Sequence, residues 1–65
     1  MQNFKAGDSV SCPPVPGQAG YKGRVVSVGT EVLKNAAGQP YVDVLVANPR
    51  GAEVSWPSYL LARAG

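Results

Sequence analysis

Between Tyr41 and Ala47 the chain alternates residue by residue. Val42, Val44 and Val46 share one face of an extended backbone, while Tyr41, Asp43, Leu45 and Ala47 share the other. That is the period of a half-buried β-strand. Shorter apolar runs fill the rest of the chain, and none keeps a 3.6-residue period over the length of a helix. "FKAGDSVSC" reads as a turn at Gly7-Asp8 followed by a strand, with Asp8, Val10 and Cys12 on one side. "YKGRVVSVGTEVL" is the longest strand candidate, and Gly23 and Gly29 mark where it bends or bulges. "AEVSW" is a short strand stopped by Pro57. "PSY" suits a single turn of 3₁₀ helix, and "LLARA" reads as a closing strand.

Eight glycines and six prolines separate these runs. "PPVPGQAG" cannot lie inside a sheet, because proline donates no ladder hydrogen bond. It is expected to be a long loop, stiffened by its prolines and hinged at Gly17 and Gly20. "KNAAGQP" and "PRG" predict hairpin turns. The sum is an all-β fold of five short strands. A long loop follows the first strand, hairpins join the second to fourth, and the 3₁₀ turn precedes the last. Closing such a sheet removes most of its edges. The expected architecture is therefore one small five-stranded SH3-like barrel over residues 1–65. Its expected core is Val10, Val25, Val28, Val42, Val44, Val46 and Leu60. No internal repeat is evident.

Sixty-five residues make one domain with a small core. Cys12 is the only cysteine, so an internal disulfide is excluded. Beside Pro13 it reads as a small, half-buried apolar residue. The chain contains no histidine, which rules out Ser/His/Asp and Cys/His sets and leaves zinc without its usual ligands. Asp8, Glu31, Asp43 and Glu53 fall in separate segments and read as solvated surface. "GQAGYKG" is glycine-rich, but no helix pattern follows to make a phosphate cradle. No catalytic set, cofactor or metal is expected. Self-association is the remaining staple for so small a domain. No apolar run is long enough to cross a bilayer, and "MQNFKAGDSV" lacks the apolar stretch of a signal peptide. With a lone cysteine, this suggests a reducing cytoplasm. The net charge of +2 permits contact with nucleic acid without requiring it.

The surface residues carry the functional expectation. Lys22 and Arg24 share a strand face opposite Val25, and Arg50 sits in the "PRG" turn. In an SH3-like barrel the long first loop and the hairpin turns lie close together. Tyr21, Lys22, Arg24, Arg50 and Trp56 then form a candidate binding set, in which cations meet phosphates and rings stack on bases. Trp56 is expected to be partly exposed, at an interface or binding face. Leu45 and Leu61 are expected outside or at the rim, where they would add to a patch buried between copies.

Two resemblances bear on this. In "GDSV…GYKGRVVSV", the residues Gly7-Asp8, Val10, Gly20, Gly23, Val25 and Val28 resemble the KOW motif of ribosomal proteins and transcription elongation factors. That resemblance implies an SH3-like barrel that binds RNA or protein partners. Over the whole chain, "FKAGDSV", "YKGRVV", "YVDVLV" and "EVSWPSYLLAR", with Pro57, Leu61 and Arg63, resemble the plasmid-encoded type II (B-type) dihydrofolate reductases. This implies a bacterial homotetramer of SH3-like barrels. The catalytic Val-Gln-Ile-Tyr of that family falls on Glu53-Val54-Ser55-Trp56, and "VPGQAG" has no counterpart of its pore lysine. No catalytic residue carries over. Three readings follow: a non-enzymatic module binding RNA or single-stranded DNA, a protein-association module or homo-oligomer, and a diverged type II reductase.

Overall fold

Most of the alternating apolar residues form strands, but the expected strand from Tyr41 to Ala47 is interrupted at Val42. The computed structural model describes residues 4–64. Seven strands lie among them: β1 (Ser9–Cys12), β2 (Tyr21–Val28), β3 (Leu33–Lys34), β4 (Pro40–Tyr41), β5 (Asp43–Ala47), β6 (Glu53–Pro57) and β7 (Ala62–Arg63). A single 3₁₀ turn, Ser58–Leu60, separates β6 from β7. Five strands pair antiparallel in the order β6-β5-β2-β1-β7, and β3 and β4 form a separate hairpin.

Two expectations are corrected here. The sheet does not close into a barrel: among the described residues, β6 and β7 remain its two edges. The closing strand is too short to bridge them, because β7 pairs only through Val10↔Arg63 and Ser11↔Ala62. The strand count is also seven, not five. "YKGRVVSVGTEVL" is not one strand. The Gly29 N–H donates to the Asp43 carbonyl at 2.7 Å, and the chain then leaves the sheet to form β3 and β4.

The bulge in β2 falls at neither glycine. Val25 pairs with Val46, but Ser27 pairs with Leu45 and Val28 with Val44, so Val26 is the extra residue. One unpaired residue reverses the inside–outside phase of everything after it. Val25 and Val28 can therefore both face inward. Gly23 has a different role: a Cβ there would lie 2.5 Å from Val46 Cγ1 and 2.7 Å from the Ala47 carbonyl oxygen. Its missing side chain lets β5 approach β2.

The buried core comprises Phe4, Val10, Cys12, Val25, Val44, Val46, Trp56 and Leu61, with Tyr21, Val28 and Val42 packed against it. Leu60 was expected inside but is 42% exposed, while Leu61 is 3% exposed. The 3₁₀ turn ends with Leu60 directed outward and hands the inward position to its neighbour. Leu61 therefore leaves the expected rim, Leu45 is half-buried, and Cys12 is fully rather than half buried. Ser58 pins the turn to the sheet: its Oγ accepts the Val42 N–H at 3.1 Å, and its own N–H donates to the Val42 carbonyl at 2.9 Å. At the far edge, Asp8 accepts the Lys5 N–H at 3.1 Å and pairs with Arg63 at 3.3 Å; the Arg63 guanidinium lies 5.5 Å from the Phe4 ring centre.

Candidate ligand-binding clefts

Two tight turns frame the site, and each is specified locally. In the long loop, Val15 and Gln18 exchange backbone hydrogen bonds of 3.0 and 2.9 Å. Pro16 presets its own φ, and Gly17 supplies a φ of +82°, the residue order of a type II turn. Gly17 thus closes a turn and is no hinge. Gly20 is no hinge either, because a Cβ there would sit 2.8 Å from the Cys12 carbonyl oxygen.

The second turn joins β5 to β6. Asn48 Oδ1 accepts the N–H groups of Arg50 and Ala52 at 2.9 and 3.0 Å. The Gly51 N–H donates to the Asn48 carbonyl at 2.9 Å, and Gly51 takes a φ of +88°. This is the type I turn with a glycine bulge that three-residue hairpins favour. The same device recurs at the β3–β4 hairpin. There Asn35 Oδ1 accepts the N–H groups of Ala37 and Gln39, both at 2.9 Å, and Gly38 has a φ of +77°. The Asn-x-x-Gly pattern is a local repeat not expected from the sequence. Its tip is Ala36-Ala37 in one copy and Pro49-Arg50 in the other, so the turn itself requires neither proline nor arginine.

Between the Pro16-Gly17 turn and the Asn48–Gly51 turn lies an open cleft of about 570 Å³. Pro16, Gln18, Tyr21, Pro49 and Arg50 line it. A second cleft, of about 370 Å³, is lined by Ser9, Lys22, Arg24, Pro49 and Ala64, and shares Asn48 and Pro49 with the first. Tyr21 and Arg50 therefore belong to one cleft, and Lys22 and Arg24 to its neighbour. All four face the region around one turn.

Trp56 is not at that surface. It is 8% exposed, which corrects its expected partial exposure. It pairs across the sheet with the fully buried Val44 and so points inward. Its link to the cleft is indirect: the indole N–H donates to the Tyr21 hydroxyl at 3.0 Å, and the rings meet edge to face at 6.2 Å and 69°. Trp56 holds Tyr21 in place. Cys12 is the cross-strand partner of Tyr21. Burial pushes the Tyr21 phenol up; the bond from Trp56 opposes this, and Cys12 adds to it. Burial likewise pushes the Cys12 thiol up, against a bond with Tyr21. Both groups keep their protons at neutral pH, so Cys12 is not a thiolate nucleophile.

The cations divide clearly. Arg63 is committed to Asp8. Lys22, Arg24 and Arg50 are exposed, and their side chains make no hydrogen bond or ion pair with the described residues. Gln18 also has an exposed side chain without a partner among the described residues, and the sequence reading missed it. The signal was present in the Pro-Gly pair before it, which sets the turn that presents it. Among the described residues, no group of three His, Cys, Asp or Glu side chains could hold a metal, and no helix is long and apolar enough to cross a membrane.

The apolar surface also differs from expectation. With Trp56 and Leu61 buried and Leu45 half-buried, those three do not form an exposed patch. The large apolar side chains most exposed are Val32, Tyr59 and Leu60, and Tyr59 meets Tyr41 edge to face at 5.1 Å. No family model, no curated protein and no solved structure matches this chain.

Proposed function

We propose that this chain is a non-enzymatic binding module for single-stranded nucleic acid, RNA or DNA. One observation carries the reading: Lys22, Arg24 and Arg50, three cations without partners among the described residues, border two clefts that share a wall, with the Tyr21 ring in one of them. Cations track a phosphate backbone, and an aromatic face accepts an unstacked base. The strand order β6-β5-β2-β1-β7, with its 3₁₀ turn before the last strand, supports reading the fold as an opened SH3-like sheet. The buried thiol of Cys12 fits a reducing compartment such as the cytoplasm.

Titration of a fluorescent short oligonucleotide at low salt tests this. Lys22→Ala, Arg24→Ala and Arg50→Ala should each weaken binding. Each should also reduce the salt slope by ~0.7, the value for one phosphate contact to a single strand. Absence of binding at low salt would remove the reading. A second reading, self-association, is favoured by the exposure of Val32, Tyr59 and Leu60 and by the open sheet edges. A concentration-independent monomer mass in sedimentation equilibrium would eliminate it. Dihydrofolate reduction with NADPH should be undetectable, since Val54 and Ser55 stand where the reductases carry glutamine and isoleucine.

A further inference from the structure

We infer that the cleft between the Pro16-Gly17 and Asn48–Gly51 turns is a pocket for one unstacked nucleobase, whose flanking phosphates lie on Arg50 and, across the shared wall, on Lys22 and Arg24. This rests on the nucleic-acid reading above and assigns its parts.

The cleft volume of about 570 Å³ falls within the span of small-ligand sites, ~300–1,000 Å³. Pro16 and Pro49 supply stiff apolar walls whose ordering adds little cost on binding. The Tyr21 ring is already held by the Trp56 N–H at its hydroxyl, so a base stacking on it meets a fixed surface. The Gln18 carboxamide offers both donors and an acceptor, and no described residue uses them. A base edge needs that combination. Arg50 stands at the turn tip where the sister turn has Ala37, so turn geometry does not account for the guanidinium. A paired base cannot enter, because its edge and faces are occupied within the duplex. The occupant is therefore single-stranded.

Comparison of short oligo(dT) with an abasic oligonucleotide of equal length tests the inference, by anisotropy at low salt and by backbone amide shifts. Oligo(dT) should bind roughly 5- to 160-fold more tightly, the range that base–aromatic stacking supplies. The amides of Gln18, Ala19 and Arg50 should move with oligo(dT) and stay in place with the abasic chain. Gln18→Ala should weaken oligo(dT) several-fold and leave the abasic chain unaffected. Gln18 is exposed, so this variant folds even if Tyr21→Ala does not. Equal binding of the two oligonucleotides would overturn the base pocket and leave the phosphate-tracking surface standing. Failure of both to bind would overturn both.

Discussion

The Trp56 indole N–H reaches the Tyr21 hydroxyl across 3.0 Å, joining β6 to β2 through residues 35 apart in the chain. Tyr21→Phe leaves a buried donor without its partner. It should lower stability by about 1–3 kcal/mol, read by urea denaturation. The ring remains but loses its tether, so affinity for oligo(dT) should fall less than it does when the ring itself is removed. A Tyr21→Phe protein as stable as the parent would show that this bond does not hold the ring.

The paired Asn-x-x-Gly turns provide an internal control. Asn48→Ala and Asn35→Ala each remove an acceptor of two backbone N–H groups. Each should cost about 1–2 kcal/mol of stability. Only Asn48→Ala should weaken oligonucleotide binding, because only that turn borders the clefts. Equal loss of binding in both variants would reduce the effect to general destabilisation.

Leu60 and Leu61 are adjacent but energetically unlike. Leu61→Ala empties a core position and should cost about 2–5 kcal/mol. Leu60→Ala acts at a residue 42% exposed and should stay within about 0.5 kcal/mol. Thermal denaturation of the two variants separates them directly.

Cys12 and Tyr21 give stability a defined dependence on alkaline pH. Burial raises both groups above their ordinary values, so the native protein keeps protons that the unfolded chain releases at lower pH. Their contribution is fully present below the ordinary thiol range. It should fall as pH rises past about 8.5 and again past about 10, where free thiols and phenols titrate. Denaturation midpoints across this range should decline, and Cys12→Ser should remove the earlier part of the decline. A midpoint that rises with alkaline pH would contradict the burial seen here.

How much of this was legible in the sequence depends on distance along the chain. Asp43–Ala47 announced its own faces, because period-two alternation needs no knowledge of the partner strand, but the expected strand from Tyr41 breaks at Val42, which is only half-buried. Val44 and Val46 are buried and Asp43 is exposed, as the pattern requires. Val25 and Val28 both read as core residues although they differ in parity, and only the bulge at Val26 reconciles them. A valine gives no local sign of a bulge. Leu60 and Leu61 could not be told apart, because the exit phase of the 3₁₀ turn is set by Ser58 bonding to Val42. Closure depended on the length of β7, which long-range pairing decides. In the site, Tyr21, Lys22, Arg24 and Arg50 were legible as polar or aromatic residues beside turns. Their division between two clefts, and the withdrawal of Trp56 beneath Tyr21, required the pairing of β6 with β5.

Since Asn48 and Pro49 line both clefts, this hairpin acts as a ruler. On the proposed nucleic-acid reading, its length would set the step between neighbouring occupants of the surface. Splicing in a longer loop would alter that spacing while leaving the chemistry on either side intact, and so would retune which polymer repeat the surface fits.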